Sequence, residues 1–294
     1  MTPDLALAGT SRFALARGDL ARHWATWRPP AVIGGVLAGV VVIAALAAPI
    51  VAAYAPEAND FNAILAPPFA GPHVLGTDAL GRDVLSRVIW GARASMQAGV
   101  LATVLAMIVA VPIGVLSGYG RGWGDVVVMR LADTMLAFPF LILAVGLSAI
   151  LGPSLSNAAI ALGLVQIPKL VRVTRGEVLN LREEAFVAAA IVDGATDWFI
   201  VSRQILPNVV NTLLVQATVL IPYAILGEST LSFLGLGVQP PTPSWGVMLT
   251  DAQSFMSQAP WLALAPGVAI FATTLSFNLL GDGLRDALDP RDRR

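Results

Sequence analysis

Residues 182–207, REEAFVAAAIVDGATDWFIVSRQILP, separate two long apolar stretches and carry a pattern of their own. The segment reads as two short helices joined by a bend. Gly194 supplies the bend, because glycine enters the left-handed region without steric cost and so ends a helix well. Thr196 or Asp197 is placed to cap the second helix. Pro207 is expected to stop it, since the residue before a proline is pushed away from helical angles. Ala188, Ala189 and Ala190 form a small-residue patch that lets another surface approach closely, and Trp198 and Phe199 offer apolar anchors. Such a knob suits either a cleft in a partner or a bed of lipid headgroups.

The flanking stretches decide the solvent. A hydrocarbon core of about 30 Å needs about 20 apolar residues in a helix. Six stretches meet or approach that length, at 32–53, 94–118, 126–151, 155–173, 209–235 and 261–281. The 294-residue chain is 56% hydrophobic and 13% charged, about half the charge of an ordinary soluble domain. The expected fold is therefore an all-α membrane protein with six transmembrane helices. Arg12, Arg17, Arg22 and Arg28 precede the first stretch. Its apolar part exceeds the usual length of a secretory signal, so it reads as a retained anchor.

Basic residues set the expected orientation, because cytoplasmic connections retain positive charge. With the N-terminus inside, the inner side collects the N-terminal arginines, Arg121, Arg130, the run from Lys169 to Arg203 and the C-terminal arginines; the outer side keeps Arg82, Arg87 and Arg93. Both termini are then cytoplasmic. The expected organisation is an N-terminal tail (1–31), a first span (32–53), an outer loop (54–93), a core (94–281) holding the inner loop (174–208), and a C-terminal tail (282–294). In the outer loop Asp78 is placed to cap a surface helix with Leu80, Val84, Leu85, Val88 and Ile89 on its apolar face and arginines opposite. Pro112, Pro139, Pro168, Pro222 and Pro266 fall inside spans and favour kinks.

Several chemistries are excluded. A chain without cysteine has no disulfide, thiol nucleophile or cysteine-held metal. A net charge of −1 provides no basic surface for nucleic acid. Lys169 is the only lysine and follows Pro168 in an apolar run, so no phosphate-gripping loop of Walker type exists here. His23 and His73 lie outside the spans, and Asp282 lacks a second aspartate at membrane depth, which leaves no intramembrane protease. No cofactor or metal is expected on this chain.

Glu228 is the anomalous polar residue, an acid well inside the fifth span, where insertion costs about 2.5–3.5 kcal/mol. Two readings stand: it lines a cavity or meets a charged substrate group, or it is a protonated carboxyl bonded to a neighbouring helix. Ser232, Asn278, Gln166 and Gln216 either line a polar path or bond between helices. Arg130 and Asp133, three apart, read as a structural pair on one helix face.

The inner loop resembles the permease signature of ABC importers, E-A-A, three residues, G, nine residues, I-x-L-P. Ala189, Ala190, Gly194, Leu206 and Pro207 fall in register, with Ala188 at the glutamate and Gln204 at the isoleucine position. Three further segments resemble the dipeptide, oligopeptide and nickel permeases, and specifically their C-type subunit: HVLGTDALGRDVLSRVIWGARAS (73–95), LSFLGLGVQPPTPSWG (231–246) and FNLLGDGLRDALDPR (277–291). The resemblance implies a type I ABC importer permease fold in the bacterial cytoplasmic membrane, with the first span outside the core. It implies a coupling role for Ala188, Ala189, Ala190, Asp193, Gly194, Ala195, Thr196, Leu206 and Pro207. The implied partners are a second permease, two cytoplasmic ATPases holding ATP and Mg, and an extracytoplasmic peptide-binding protein. Peptide is the expected cargo, nickel or another small solute the alternative, and a transporter driven by an ion gradient the reading from another class.

Overall fold

Inside a bilayer every backbone N–H and C=O must be satisfied within the protein, and this chain meets the demand with helices. The computed structural model describes residues 29–288. The N-terminal arginines and the expectations for Arg291 and its neighbours lie outside the described residues. In chain order run α1 (Pro29–Leu46), α2 (Ala48–Val51), α3 (Val84–Gly120), α4 (Trp123–Leu136), α5 (Phe140–Leu151), α6 (Leu155–Arg182) and α7 (Ala185–Val192). They are followed by α8 (Asp197–Phe233), α9 (Trp245–Ala252) and α10 (Trp261–Leu288). Among the described residues the strand-like feature is an isolated bridge between Thr77 and Asp83.

By length and composition α3, α8 and α10 can each cross a membrane, and α4 with α5 make a fourth crossing if they are one broken span. These three or four helices are the ones whose length and composition alone suffice for a crossing; α1 is apolar but shorter. The third stretch is not one kinked helix: α4 and α5 meet at 91° around Pro139. α6 is 28 residues long but mixes Lys169, Arg172, Arg175 and Glu177 into its second half.

The core is organised by close approach of α3 and α6. Ala98, Ala102, Ala106, Ala110, Gly114 and Gly118 recur every fourth residue of α3 and are buried. A stripe without side-chain bulk lets two membrane helices pack backbone to backbone. A Cβ added at Gly114 would stand 2.6 Å from the Thr174 Cβ, and one at Gly163 2.8 Å from the Ala102 carbonyl. α1 lies against α10, where Gly34 and Gly283 make room for Leu279 and Ala31.

The outer loop differs from expectation. Asp83, not Asp78, caps the helix, accepting from the Ser86 N–H at 2.7 Å. In place of the expected separate surface helix, residues from Val84 onward form the first turns of α3, whose 37 residues extend about 55 Å. Arg82 and Arg87 do not point to solvent, whereas Arg93 is exposed. Arg87 is 2% exposed and, with Arg82, meets Asp78 and Asp251. Apolar surroundings make an unpaired guanidinium costly, so the two arginines fold inward onto carboxylates that link the loop to α9. Asp78 takes a turn, accepting from the N–H groups of Leu80 and Arg82.

Candidate functional site

α7 and the start of α8 form an elbow at one end of the helix bundle. α7 ends where Gly194 takes φ +76°, a conformation open to glycine without penalty. Of the two candidate caps, Thr196 is used: its hydroxyl accepts from the Phe199 N–H. The expected stop at Pro207 is absent, and α8 runs unbroken from Asp197 to Phe233. Residues Ile200–Ile205 widen into a π turn, which absorbs the N–H that Pro207 lacks and the clash of its ring with the preceding turn.

The elbow is apolar inside and outside. Val187, Ile200 and Ile205 are buried with Val178 and Val209. At the tip Val192 is 86% and Trp198 78% exposed, with Ile191 and Phe199 beside them. Soluble surfaces seldom present such residues together unless something covers them. Ala188, Ala189, Asp193, Gly194 and Thr196 are exposed on the same elbow, and Ala190 and Ala195 are half-buried. Leu206 and Pro207 are exposed as well, but stand about 14 Å along α8 from Asp197, away from the tip.

Polar contacts missed by the sequence reading fasten the elbow's base to the bundle. The Tyr119 hydroxyl, at the end of α3, donates to Asp197 at 2.6 Å. Arg182 donates to the Tyr119 carbonyl at 2.7 Å and stacks over its ring at 5.3 Å. Arg175 grips Asp125 of α4 through two bonds of 2.5 and 2.6 Å, the geometry in which a guanidinium binds a carboxylate best. Arg121 pairs with Glu183 at 2.9 Å. Asp133 is bound by Arg172 of α6, which corrects the expected pairing with Arg130. The partners lie 39 to 78 positions apart, beyond the reach of any local spacing rule.

Glu228 and Ser232 lie elsewhere. Glu228 is 0% exposed; its carboxylate accepts from Ser95 of α3 at 2.9 Å and from Ser232 at 2.6 Å. Ser232 accepts in turn from the Val238 N–H, and Ser95 from the Trp245 N–H. The cluster thus ties α3, α8 and the return into α9 together. Asn278 is exposed on α10 and is not brought to this cluster. Gln166 is buried and bonds within its own helix, to the Leu162 carbonyl. Among the described residues no group of three or more His, Asp or Glu side chains is gathered to hold a metal ion.

Residues 110–294 match the family described as binding-protein-dependent transport system inner membrane component. The chain belongs to this family. It is 43% identical to the dipeptide transport system permease protein DppC of Alkalihalophilus pseudofirmus, over 89% of this chain and 86% of that protein. It is 44% identical to the glutathione transport system permease protein GsiD of Pectobacterium atrosepticum, over 74% and 73%. The fold is similar to a chain of the MetNI methionine ABC transporter in inward-facing form, with TM-score 0.56 and 18% identity over 69% of this chain and 96% of that one. As an inner membrane component of a transport system, this chain is a multi-pass membrane subunit and not an enzyme.

Proposed function

We propose that this chain is a permease subunit of an ATP-driven importer and forms half of a translocation path for dipeptides or oligopeptides. Six spans with both termini cytoplasmic put the elbow on the inner side, where the basic residues gather. A related permease completes the path, two cytoplasmic ATPases grip the elbows, and an extracytoplasmic binding protein delivers the peptide. ATP and Mg belong to the ATPases.

The observation that carries this reading is the elbow itself: an apolar tip led by Val192 and Trp198, on a base pinned by Tyr119, Arg175 and Arg182. A tip that binds a partner through apolar contact, on a base that cannot swing independently, passes displacement into α3, α6 and α8. Only a difference in affinity between the two states drives such a change; ATP-bound and free motors supply it. Glu228 and Ser232 serve as a brace under the α9 turn in this reading, and Asn278 faces the path.

Gly194→Pro tests the coupling. Proline cannot adopt φ +76° and removes the N–H that bonds the Ile191 carbonyl at 3.0 Å. In the reconstituted transporter the variant should insert normally and hydrolyse ATP while dipeptide uptake is lost. Uptake equal to wild type would contradict the assignment.

A further inference from the structure

Lys169, the chain's single lysine, stands fifteenth in the 28 residues of α6, about 21 Å from the start of that helix. Its side chain is exposed. Further along the same helix Arg172 and Arg175 are each ion-paired, with Asp133 and Asp125. Among the described residues Lys169 has no carboxylate partner; its ammonium sits over the Tyr223 ring of α8 at 5.7 Å. Tyr223 in turn packs on Phe140 of α5, ring centres 4.6 Å apart.

Each member of the frame directly follows a proline. Phe140 follows Pro139, Lys169 follows Pro168 and Tyr223 follows Pro222. Pro139 stands at the break before α5, while Pro168 and Pro222 are carried inside continuous helices and each removes one backbone donor there, beside the place where one cation and two aromatic rings meet. An exposed ammonium within a span is costly against lipid and is retained where it faces water or a partner group. A cation over an aromatic face is attracted to the ring, which holds it in place beside that face.

We propose that Lys169, framed by Tyr223 and Phe140, lines the translocation path and binds the carboxylate of the passing peptide. This rests on the importer reading above. The carboxylate is the group every free peptide carries at its C-terminus, whatever its side chains, so one ammonium can serve substrates of varied sequence. The aromatic pair offers the adjoining apolar surface.

The complete transporter, with its partner subunits in liposomes, should be tested with a dipeptide and its C-terminal amide. Because the same binding protein serves every variant, a change in the acid-to-amide uptake ratio reports on the permease. Lys169→Gln should lower that ratio about tenfold, the share expected of one charge-assisted hydrogen bond, and Lys169→Arg should retain most of it. An unchanged ratio in Lys169→Gln overturns the proposal. So does a Lys169→Gln complex that no longer assembles on size exclusion, since the ammonium would then be pairing with a partner subunit. If wild type takes up neither compound, the peptide-importer reading itself fails.

Discussion

Glu228 is met by hydroxyl groups rather than by a cation: Ser95 and Ser232 both donate to it, from α3 and from its own helix. Replacing it with alanine removes both acceptors and leaves a void at a fully buried position. The expected cost is about 2–4 kcal/mol, read as a lower melting midpoint of the purified protein in detergent. Glu228→Gln keeps the shape and one acceptor and should cost about 1 kcal/mol. Equal melting of alanine, glutamine and wild-type proteins would remove the brace. The sequence exposed Glu228 because an acid stands out in an apolar run; Ser95, 133 positions away, carries no such contrast. The bond between Tyr119 and Asp197 escaped for the same reason. Helical spacing reports which residues share a face, and says nothing about which distant helix lies opposite.

α3 and α6 touch through missing side chains, and that contact sets the register of the bundle. Gly114→Ala puts a methyl group 2.6 Å from the Thr174 Cβ and 2.9 Å from the Val171 carbonyl. Overpacking of this kind costs about 1–3 kcal/mol and should lower the melting midpoint. Gly146→Ala in α5 meets nothing within 4 Å and should be neutral or slightly stabilising, as alanine exceeds glycine in helix propensity by about 1 kcal/mol. The reverse order of midpoints would contradict the packing described. Helix positions were legible from apolar length, and the elbow from Gly194 and its caps. Proline effects were legible only as disturbances. Pro139 accompanies a break of 91°, Pro112 is carried inside a continuous α3, and Pro207 is accommodated by a π turn. A proline removes one donor, and packing around it decides whether the helix bends, breaks or widens. The outer loop holds no separate helix because the apolar residues from Val84 to Ile89 belong to the first turns of α3, with Asp83 as its cap, while Leu80 lies outside the helix and is exposed.

At the scale of the molecule, a membrane-embedded bundle presents one apolar elbow fastened to three helix ends, and the account depends on that elbow being inside the cell and covered by a motor. Composition made the membrane legible; the expected orientation rests on charge distribution, and the proposed covering partner on the resemblance of residues 182–207 to a known signature. The absence of cysteine makes a direct measurement available. Val192→Cys places a single thiol at the elbow tip, for reaction with a membrane-impermeant maleimide in oriented vesicles bearing the transporter. Labelling should occur only from the cytoplasmic face, and added ATPase subunits should protect the thiol. Labelling from the outer face, or undiminished labelling with the ATPase bound, would contradict the account.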